Sequence, residues 1–306
     1  MFDSIFDLIG NTPILRLGKL KKELGLVGNL FVKLEKCNIS GSVKDRVAKN
    51  ILLDGISRGL IKKDTLILEA TSGNFGISLA AICANLDLNL LCVMPESVSL
   101  ERRKIIKMYG ANVTLTPTEL GMKGSIELVK KLNKENSNVF VPSQFTNLVN
   151  VSTHYDLTGP EIYEQMNGEI DVFIASIGSG GTISGVGSFL KSKKDLEVIG
   201  VEPFESPLLT KGISNNHKIE GIGANFIPDI LDVKFIDNIK TVSYDMALKG
   251  VDLLAKTEGI LVGFSSGASL MVGIEEARLD KNKDKNILVI LPDGVDRYLS
   301  KLMLDV

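Results

Sequence analysis

Short apolar runs alternate along this chain with stretches whose apolar residues recur every three or four positions. The apolar runs fall at residues 30–34, 65–68, 88–94, 112–116, 172–175, 197–201 and 287–291. The stretches with helical spacing fall at residues 43–58, 76–85, 100–109, 125–133 and 183–191. Strand and helix in turn, with strands that are apolar almost throughout, predict an α/β fold with mostly parallel sheets that are covered on both faces.

One stretch breaks this alternation. Residues 213–238 contain several Gly, Asn and Pro residues and show neither period, so they are predicted to be irregular. A loop of that length inside a compact α/β chain is usually functional or mobile. The chain shows no internal repeat and no low-complexity linker, so composition alone places no domain boundary.

Composition excludes several classes of protein. The chain has 306 residues, of which 44% are hydrophobic, enough for a large core and for two domains or one large domain. Its 35 basic and 37 acidic residues give a net charge of −2 without a basic block, so no nucleic-acid partner is expected. No apolar run approaches the roughly 20 residues of a membrane span, and no signal-like start is seen, so we expect a soluble cytoplasmic protein without a membrane partner.

The cysteines and histidines indicate no metal site. Cys37, Cys83 and Cys92 are odd in number and lack CxxC spacing, which argues against a disulfide framework or a zinc site. Cys83 and Cys92 lie in apolar runs and are expected in the core, while the role of Cys37 stays open. His154 and His217 have no partner at metal-ligand spacing, so surface or packing roles are expected for them.

A lysine at a predicted helix start is the first candidate for chemistry. Lys44 follows Ser40-Gly41-Ser42-Val43, a small and flexible stretch. An amine held in a pocket can condense with an aldehyde, and pyridoxal phosphate is the usual aldehyde of that kind. The alternative is a Ser-Gly turn followed by a charged first helical turn.

Three glycine-bearing loops each precede a helical stretch, and two of them directly follow a predicted strand, the position at which open parallel sheets bind ligands. Residues 71–76 offer two hydroxyls, an amide and backbone N–H groups, which suit a carboxylate, although an ordinary helix cap is the alternative. Residues 178–182 hold three glycines and suit a phosphate monoester rather than a tight turn alone. Neither a GxGxxG nor a GxxxxGK[ST] motif is present.

The third loop, residues 263–268, brings the hydroxyl of Ser265 to a helix start, where a simple cap is again the alternative. A lysine, a phosphate loop, a carboxylate loop and a buried hydroxyl together are the parts of a pyridoxal phosphate site. Their joint presence is far more specific than any one of them.

Further segments match a known pattern in order along the whole chain. They are Ile9-Gly10-Asn11-Thr12-Pro13, Ser42-Val43-Lys44-Asp45-Arg46, Thr71-Ser72-Gly73-Asn74, Met94-Pro95-Glu96, Glu101-Arg102-Arg103-Lys104, Thr158-Gly159-Pro160-Glu161-Ile162, residues 178–182, Gly221-Ile222-Gly223-Ala224, Ser265-Ser266-Gly267-Ala268 and Arg297-Tyr298-Leu299-Ser300. With these segments the chain resembles the cysteine synthase (O-acetylserine sulfhydrylase) and cystathionine β-synthase family of fold-type-II pyridoxal phosphate enzymes.

The resemblance implies a fold with two α/β domains, like the β-subunit of tryptophan synthase. The smaller domain would comprise residues 1–12 and 37–148, and the larger domain residues 13–36 and 149–306. The cofactor would lie in the cleft between them. Such enzymes are commonly homodimers, and some bind serine acetyltransferase, which is therefore a possible partner.

The resemblance also implies a role for each matching residue. Lys44 would bind pyridoxal phosphate as a Schiff base and then remove the α-proton of the substrate, so its pKa should lie well below the roughly 10.4 of free lysine. The other roles would be these: Asn74 at the phenolic oxygen of the cofactor; Thr71, Ser72, Asn74 and Gln144 at the substrate carboxylate; Gly178, Ser179, Gly180, Gly181 and Thr182 at the phosphate; Ser265 at the pyridine nitrogen.

A hydroxyl at the pyridine nitrogen makes a weaker electron sink than a carboxylate would, which suits rapid loss of a β-substituent. The implied reaction is β-replacement through an α-aminoacrylate, foremost O-acetyl-L-serine plus sulfide giving L-cysteine and acetate. An alternative starts from L-cysteine or L-serine and forms lanthionine or cystathionine with release of hydrogen sulfide or water. A non-catalytic scaffold is a further alternative, against which Lys44 and Ser265 argue.

Four places depart from the family pattern. Phe75 stands where Thr is usual, Asn225 where Gly is usual and Ile39 where Pro is usual, and residues 293–296 differ from the frequent Ser-Gly-Glu or Phe-Gly-Glu pattern. Phe75 and Asn225 lie in loops that border the substrate and are candidates for specificity. Phe75 could instead serve packing, and Asn225 could be a turn residue, since Asn tolerates left-handed backbone. A local pair of Asp45 with Arg46 is expected at the helix start.

Overall fold

The structure is a computed structural model that describes residues 1–71 and 73–301. Two β-sheets organise the chain, and helices pack on both faces of each sheet. The sheets are parallel except for one antiparallel pair at the edge of the larger sheet. The predicted α/β class with mostly parallel sheets is confirmed.

The larger sheet has six strands in the order β1-β2-β10-β7-β8-β9. Its strands are β1 (Ile14–Arg16), β2 (Asn29–Leu34), β7 (Val172–Ser176), β8 (Glu197–Pro203), β9 (Asn238–Val242) and β10 (Asn286–Leu291). Strands β7, β8 and β10 are buried almost throughout, which explains their mostly apolar sequences, whereas buried and half-buried residues are mixed along β2.

The smaller sheet has four parallel strands in the order β5-β4-β3-β6. They are β3 (Leu66–Ala70), β4 (Asn89–Pro95), β5 (Asn112–Thr116) and β6 (Val139–Phe140). All strands of this sheet fall within the predicted smaller domain, and all strands of the larger sheet fall within the predicted larger domain. The division into two domains itself stays a prediction.

The helices connect these strands. They are α1 (Gly18–Leu24), α2 (Lys44–Ser57), α3 (Asn74–Asn85), α4 (Leu100–Met108), α5 (Gly121–Glu135), α6 (Val149–Thr153), α7 (Gly159–Gln165), α8 (Gly181–Lys193), α9 (Leu208–Lys211), α10 (Tyr244–Glu258) and α11 (Phe264–Ala277). A π-helical segment, His154–Thr158, joins α6 to α7. Each helical stretch expected from the sequence lies on a helix.

Four hydrophobic clusters hold the layers together. Two cover the faces of the larger sheet, one beneath α10 and α11 and one beneath α7 and α8. The other two cover the smaller sheet, beneath α2, α3 and α4 on one face and beneath α5 on the other. As expected, Cys83 and Cys92 are buried in this core, while Cys37 is exposed.

All seven predicted strands are present, and residues 213–238 are irregular apart from a short 3-10 turn and the first residue of β9. The sequence patterns missed β1, β6 and β9. In the part of the chain that the structure describes, no helix is both long and apolar enough to cross a membrane. The same residues contain no group of three or more His, Cys, Asp or Glu side chains placed to hold a metal ion.

Candidate active site

Lys44 is the first residue of α2, as the sequence predicted. Its backbone N–H donates to Ser42 Oγ at 3.3 Å, and its side-chain amine donates to Ser179 Oγ at 3.1 Å. Within residues 1–71 and 73–301, no carboxylate pairs with this amine. Burial therefore acts unopposed and lowers the pKa of Lys44 to about 8. About a tenth of the amine is then neutral at pH 7, far more than for a free lysine.

The glycine-rich loop between β7 and α8 lies within reach of this amine. Gly180 has φ of 87°, a left-handed conformation that favours glycine, and it immediately precedes α8. A Cβ at Gly178 would lie 2.4 Å from the carbonyl oxygen of Gly221, and one at Gly181 would lie 2.0 Å from Asn150 Oδ1. The loop thus needs its glycines to approach neighbouring groups. It presents the N-terminus of α8, an anion-binding position, next to Lys44.

Two side chains outside the loop hold its hydroxyl groups. Asn150 Nδ2 donates to Ser179 Oγ at 3.0 Å, and His154 Nε2 lies 3.2 Å from Thr182 Oγ1. His154 is fully buried, and its pKa lies well below the ordinary value because of burial and the nearby charges of Lys44 and Arg46. The sequence predicted only a surface or packing role for His154. It missed this contact because nothing in the sequence links positions 154 and 182.

The loop after β3 contributes two of the predicted substrate residues. Thr71 is buried, and its hydroxyl accepts a hydrogen bond from the backbone N–H of Gly73 at 3.4 Å. Asn74 begins α3 at the same edge of the smaller sheet. A Cβ at Gly76 would lie 2.7 Å from Thr71 Cγ2, so this glycine lets the helix approach the loop. Ser72 lies outside the described residues.

Gln144, the fourth predicted carboxylate ligand, lies in the turn that follows β6 and is almost fully buried. Its backbone carbonyl accepts from Asn150 Nδ2 at 2.8 Å, so one amide joins this turn to the Ser179 loop. The carboxyl of Glu69 accepts from the backbone N–H of Ser143 at 2.7 Å and also from that of Gln144. Glu69 lies on β3, and the sequence argument did not single it out.

Ser265 lies in the first turn of α11 and is buried. A Cβ at Gly221 would lie 3.8 Å from Ser265 Oγ, so this hydroxyl faces the Gly221 loop. That loop also packs against Gly178. The Gly221 loop therefore joins the Ser265 hydroxyl to the glycine-rich loop before α8.

The two specificity candidates have different surroundings. Phe75 is buried in the hydrophobic cluster beneath α2, α3 and α4, which is the packing role that the sequence allowed. Asn225 has φ of 62°, and its Oδ1 accepts from Ser206 Oγ at 2.9 Å. It has the left-handed backbone of a turn residue, in a loop that borders a small cavity beside Gly178. A role of either residue in specificity stays a prediction.

The expected local pair of Asp45 with Arg46 is wrong. Asp45 instead accepts hydrogen bonds from Ser40 and Ser78. The Arg46 guanidinium binds Glu35 and Glu161, with four N···O distances between 2.7 and 2.9 Å. Successive helical residues point about 100° apart, so neighbours on α2 reach different partners.

The turn at residues 293–298, whose first four residues depart from the family pattern, closes the site beside Asn74. Asp293 Oδ2 accepts from Asn74 Nδ2 at 2.7 Å and also from the hydroxyl of Tyr298. Arg297 Nη1 donates to Asn74 Oδ1 at 3.1 Å and to the carbonyl of Gly41 at 2.8 Å. The turn thus joins the Lys44 loop to the start of α3.

These residues fit pyridoxal phosphate. A glycine cradle at a helix N-terminus suits the phosphate, and an amine without a counter-charge lies close enough to bind Ser179 in that cradle. The Asn74 amide and the Ser265 hydroxyl offer polar groups of the kind that would bind the ring substituents. No acidic side chain competes for the amine among the described residues, so the amine can react with an aldehyde.

Comparisons with known proteins agree with this fit. The sequence profile of the family "Pyridoxal-phosphate dependent enzyme" matches residues 5–293. Cysteine synthase B of Campylobacter jejuni is 48% identical over 299 residues, which is 97% of each chain.

Two solved structures have nearly the same fold. Cysteine synthase of Entamoeba histolytica has a TM-score of 0.95 at 38% identity and covers 100% of this chain and 93% of its own. A hydrogen sulfide-producing enzyme of Fusobacterium nucleatum has a TM-score of 0.94 at 39% identity and covers 97% of this chain and 100% of its own. The chain therefore belongs to the family of pyridoxal-phosphate dependent enzymes, among relatives that are cysteine synthases.

Proposed function

We propose that this chain replaces the acetate group of O-acetyl-L-serine by sulfide and so yields L-cysteine and acetate. The observation that carries the proposal is the Lys44 amine, which is desolvated, lacks a carboxylate partner among the described residues and lies next to the glycine cradle. The cysteine synthases among its relatives, at 42 to 48% identity over nearly the whole chain, support this choice of substrate.

The cradle at the N-terminus of α8 would hold the phosphate of the cofactor through backbone N–H groups and the hydroxyls of Ser179 and Thr182. Asn150 and His154 keep these two hydroxyls in place. When bound, pyridoxal phosphate supplies an electron sink that makes the α-carbon of an amino acid acidic. Ser265 would face the pyridine nitrogen with a neutral hydroxyl.

Lys44 would act twice, first as the covalent anchor of the cofactor and then as the base that takes the α-proton. Both tasks need a neutral amine, and a pKa of about 8 makes the neutral form far more abundant near neutral pH than in a free lysine. Thr71 and Gln144 would hold the substrate carboxylate, and the same role stays a prediction for Ser72 and Asn74. These groups lie on two loops at one edge of the smaller sheet, so they can orient the α-C–H bond toward Lys44.

The alternative that releases hydrogen sulfide is supported by the similarity to the hydrogen sulfide-producing enzyme of Fusobacterium nucleatum. Phe75, one of the two residues that motivated this alternative, packs in the core. The other, Asn225, has its amide oxygen bound to Ser206. These contacts weaken the motive for the alternative, because Phe75 serves packing and the Asn225 amide oxygen already accepts from Ser206.

A substrate panel with product identification tests the proposal. The purified holoenzyme receives O-acetylserine with sulfide, L-cysteine alone, and L-cysteine or L-serine with homocysteine, and each product is identified by mass. We expect the first pair to give the highest turnover and cysteine as product. If O-acetylserine is not markedly preferred, the proposed substrate is wrong, whereas a protein that stays colourless after addition of pyridoxal phosphate would refute the enzyme itself.

Three wider expectations belong to the same proposal. We infer that residues 1–12 and 37–148 form a smaller domain and that the rest of the chain forms a larger one, with the site in the cleft between them. The separate sheets support this division. We also expect a cytoplasmic homodimer that could bind serine acetyltransferase, which light scattering and co-purification would test.

A further inference from the structure

The contacts of the Asn74 side chain fix which of its groups a ligand can meet. Its Oδ1 accepts from Arg297 Nη1 at 3.1 Å, and its Nδ2 donates to Asp293 Oδ2 at 2.7 Å. A guanidinium has donors only, so the amide atom that faces Arg297 must be the oxygen. The chemistry of the two partners therefore determines the orientation of this amide, which is otherwise ambiguous for an asparagine.

One N–H donor of Asn74 then remains for a ligand. An asparagine amide has two N–H donors and one oxygen. Arg297 uses one lone pair of the oxygen and Asp293 uses one N–H, so the second N–H is the donor left for the site, while the oxygen keeps one lone pair beside the guanidinium. Asn74 can thus offer a donor to an oxygen that carries negative charge, which is the character of the phenolic oxygen of pyridoxal phosphate.

Asp293 is well placed for this task. It is fully buried, it forms an isolated bridge with Ser42, and its Oδ2 also accepts from the hydroxyl of Tyr298. Burial raises the pKa of Asp293 by more than Arg297 lowers it. Oδ2 can nevertheless accept from Asn74 whether or not Oδ1 carries a proton. Oδ1 has no hydrogen-bond partner in the part of the chain that the structure describes, so the carboxyl is free to be protonated there.

Arg297 connects the same amide to the loop that carries the lysine. Its guanidinium donates to the backbone carbonyls of Ser40 and Gly41 and is almost fully buried. The start of α3 and the approach to Lys44 are therefore held by one side chain. Asp293 belongs to the four residues, 293–296, that depart from the family pattern, whereas Arg297 belongs to a segment that matches it, and the sequence assigned a role to neither partner of Asn74.

We infer that Asp293 and Arg297 form a clamp on the Asn74 amide that makes Asn74 a hydrogen-bond donor toward the phenolic oxygen of the cofactor. Asp293 is in this sense a positioning residue, since it acts through Asn74. The inference rests on the proposed function for the location of the cofactor. Beyond that function, it names Asp293 and Arg297 as the side chains that make Asn74 the donor in its contact with the phenolic oxygen.

Cofactor affinity of the apoenzyme tests the clamp without any substrate. Asp293→Ala removes the acceptor, and Asp293→Asn keeps an acceptor oxygen of the same reach. Asp296→Ala is the matched control, because Asp296 lies in the same turn and is exposed. We expect D293A to bind pyridoxal phosphate about tenfold more weakly, as for loss of one buried hydrogen bond. D293N and D296A should stay within about twofold of the wild type.

An affinity of D293A equal to that of D296A would overturn the inference, and so would a D293N protein as weak as D293A. Spectra of the bound cofactor give a second readout, since D293A should shift the long-wavelength absorbance band whereas D296A should not. A wild type that binds the cofactor but does not convert O-acetylserine refutes the proposed function and leaves the clamp standing.

A second pair of variants covers the case in which D293A does not fold. Asn74→Asp places a carboxylate against Asp293 and against the phenolic oxygen, so it should bind the cofactor more weakly than Asn74→Ala does. Adding Asp293→Asn to N74D should recover affinity, because the amide introduced at position 293 can donate to the new carboxylate. Equal affinity of N74D and N74A, or no recovery in the double variant, would overturn the clamp.

Discussion

Two cationic side chains, Lys44 and Arg46, lie two residues apart in the first turn of α2, and their surroundings differ completely. Lys44 has no carboxylate partner among the described residues, so burial lowers its pKa to about 8. Burial alone would also lower the pKa of Arg46, but Glu35 and Glu161 reverse that effect and raise the pKa above its ordinary value. One cation is kept ready to lose its proton, and the other is kept permanently charged.

The difference follows from geometry and from the choice of side chain. Residues two apart on a helix point roughly 200° apart, so Lys44 faces the glycine cradle while Arg46 faces the opposite side. A guanidinium suits a buried pair with two carboxylates because its donors match them in plane, whereas a lysine amine shifts its pKa readily when it is buried. The same helix turn therefore supplies both a reactive group and the ion pairs that hold it in position.

Replacement of Lys44 should have the largest effect. Lys44→Ala should lower turnover by about a thousandfold or more, because the chain loses its base, although loosely bound cofactor should remain. Lys44→Arg should be almost as inactive, since a guanidinium keeps the charge but cannot be deprotonated. Steady-state assays check both. Lys49→Arg, on the same helix, is the matched control and should stay within about twofold of the wild type.

Replacement of Arg46 should act on stability instead. Arg46→Met should lower the free energy of unfolding by about 3–5 kcal/mol, because Glu35 would remain buried without its partner. Urea unfolding of the apoenzyme measures this. Arg58→Met, at the other end of α2, removes an exposed pair with Asp54 and should cost about 0.5 kcal/mol. Equal losses in R46M and R58M would mean that the buried ion pairs of Arg46 stabilise the protein no more than the exposed pair of Arg58 with Asp54 does.

The contrast also predicts a pH dependence. The protonated amine is not a nucleophile, so the rate at which the apoenzyme captures pyridoxal phosphate should rise with pH and level off above pH about 8. Below that pH the rate should fall about tenfold per unit. Stopped-flow absorbance measures the rate, and N-α-acetyl-lysine serves as the free-amine reference. The reference should keep rising past pH 8 toward its own pKa of about 10.4. An enzyme rate that follows the reference would contradict the role of burial.

Most of the fold could be predicted because its central strands are long and buried on both faces. The three strands that were missed, β1, β6 and β9, all lie at sheet edges. An edge strand has one neighbour and less burial, so its sequence carries a weaker apolar pattern. β6 has only two residues and β1 only three, which is too short for a period to show.

The site could be predicted where its parts are continuous in sequence. Lys44 and the loops at residues 71–76 and 178–182 each have a local sequence pattern that indicates their role. The contacts that tune these parts could not be predicted, because their partners lie far apart along the chain. Asn74 and Asp293 are 219 positions apart and Arg46 and Glu161 are 115 apart, so one sequence does not indicate which polar residues meet.

A third buried group, Glu69, extends the comparison to a carboxyl and should show the smallest effect. Burial raises its pKa to about 8, so at neutral pH it is mostly protonated while it accepts from the N–H groups of Ser143 and Gln144. Glu69→Gln is then nearly isosteric and neutral, and turnover near pH 7 should stay within about twofold of the wild type. Glu69→Ala removes the acceptor that holds the Gln144 turn, so the KM for the amino-acid substrate should rise about tenfold while kcat changes less. A large loss of turnover in E69Q at pH 7 would show that Glu69 works as a charged carboxylate. Burial would then not determine the protonation state of Glu69 as it does that of Lys44.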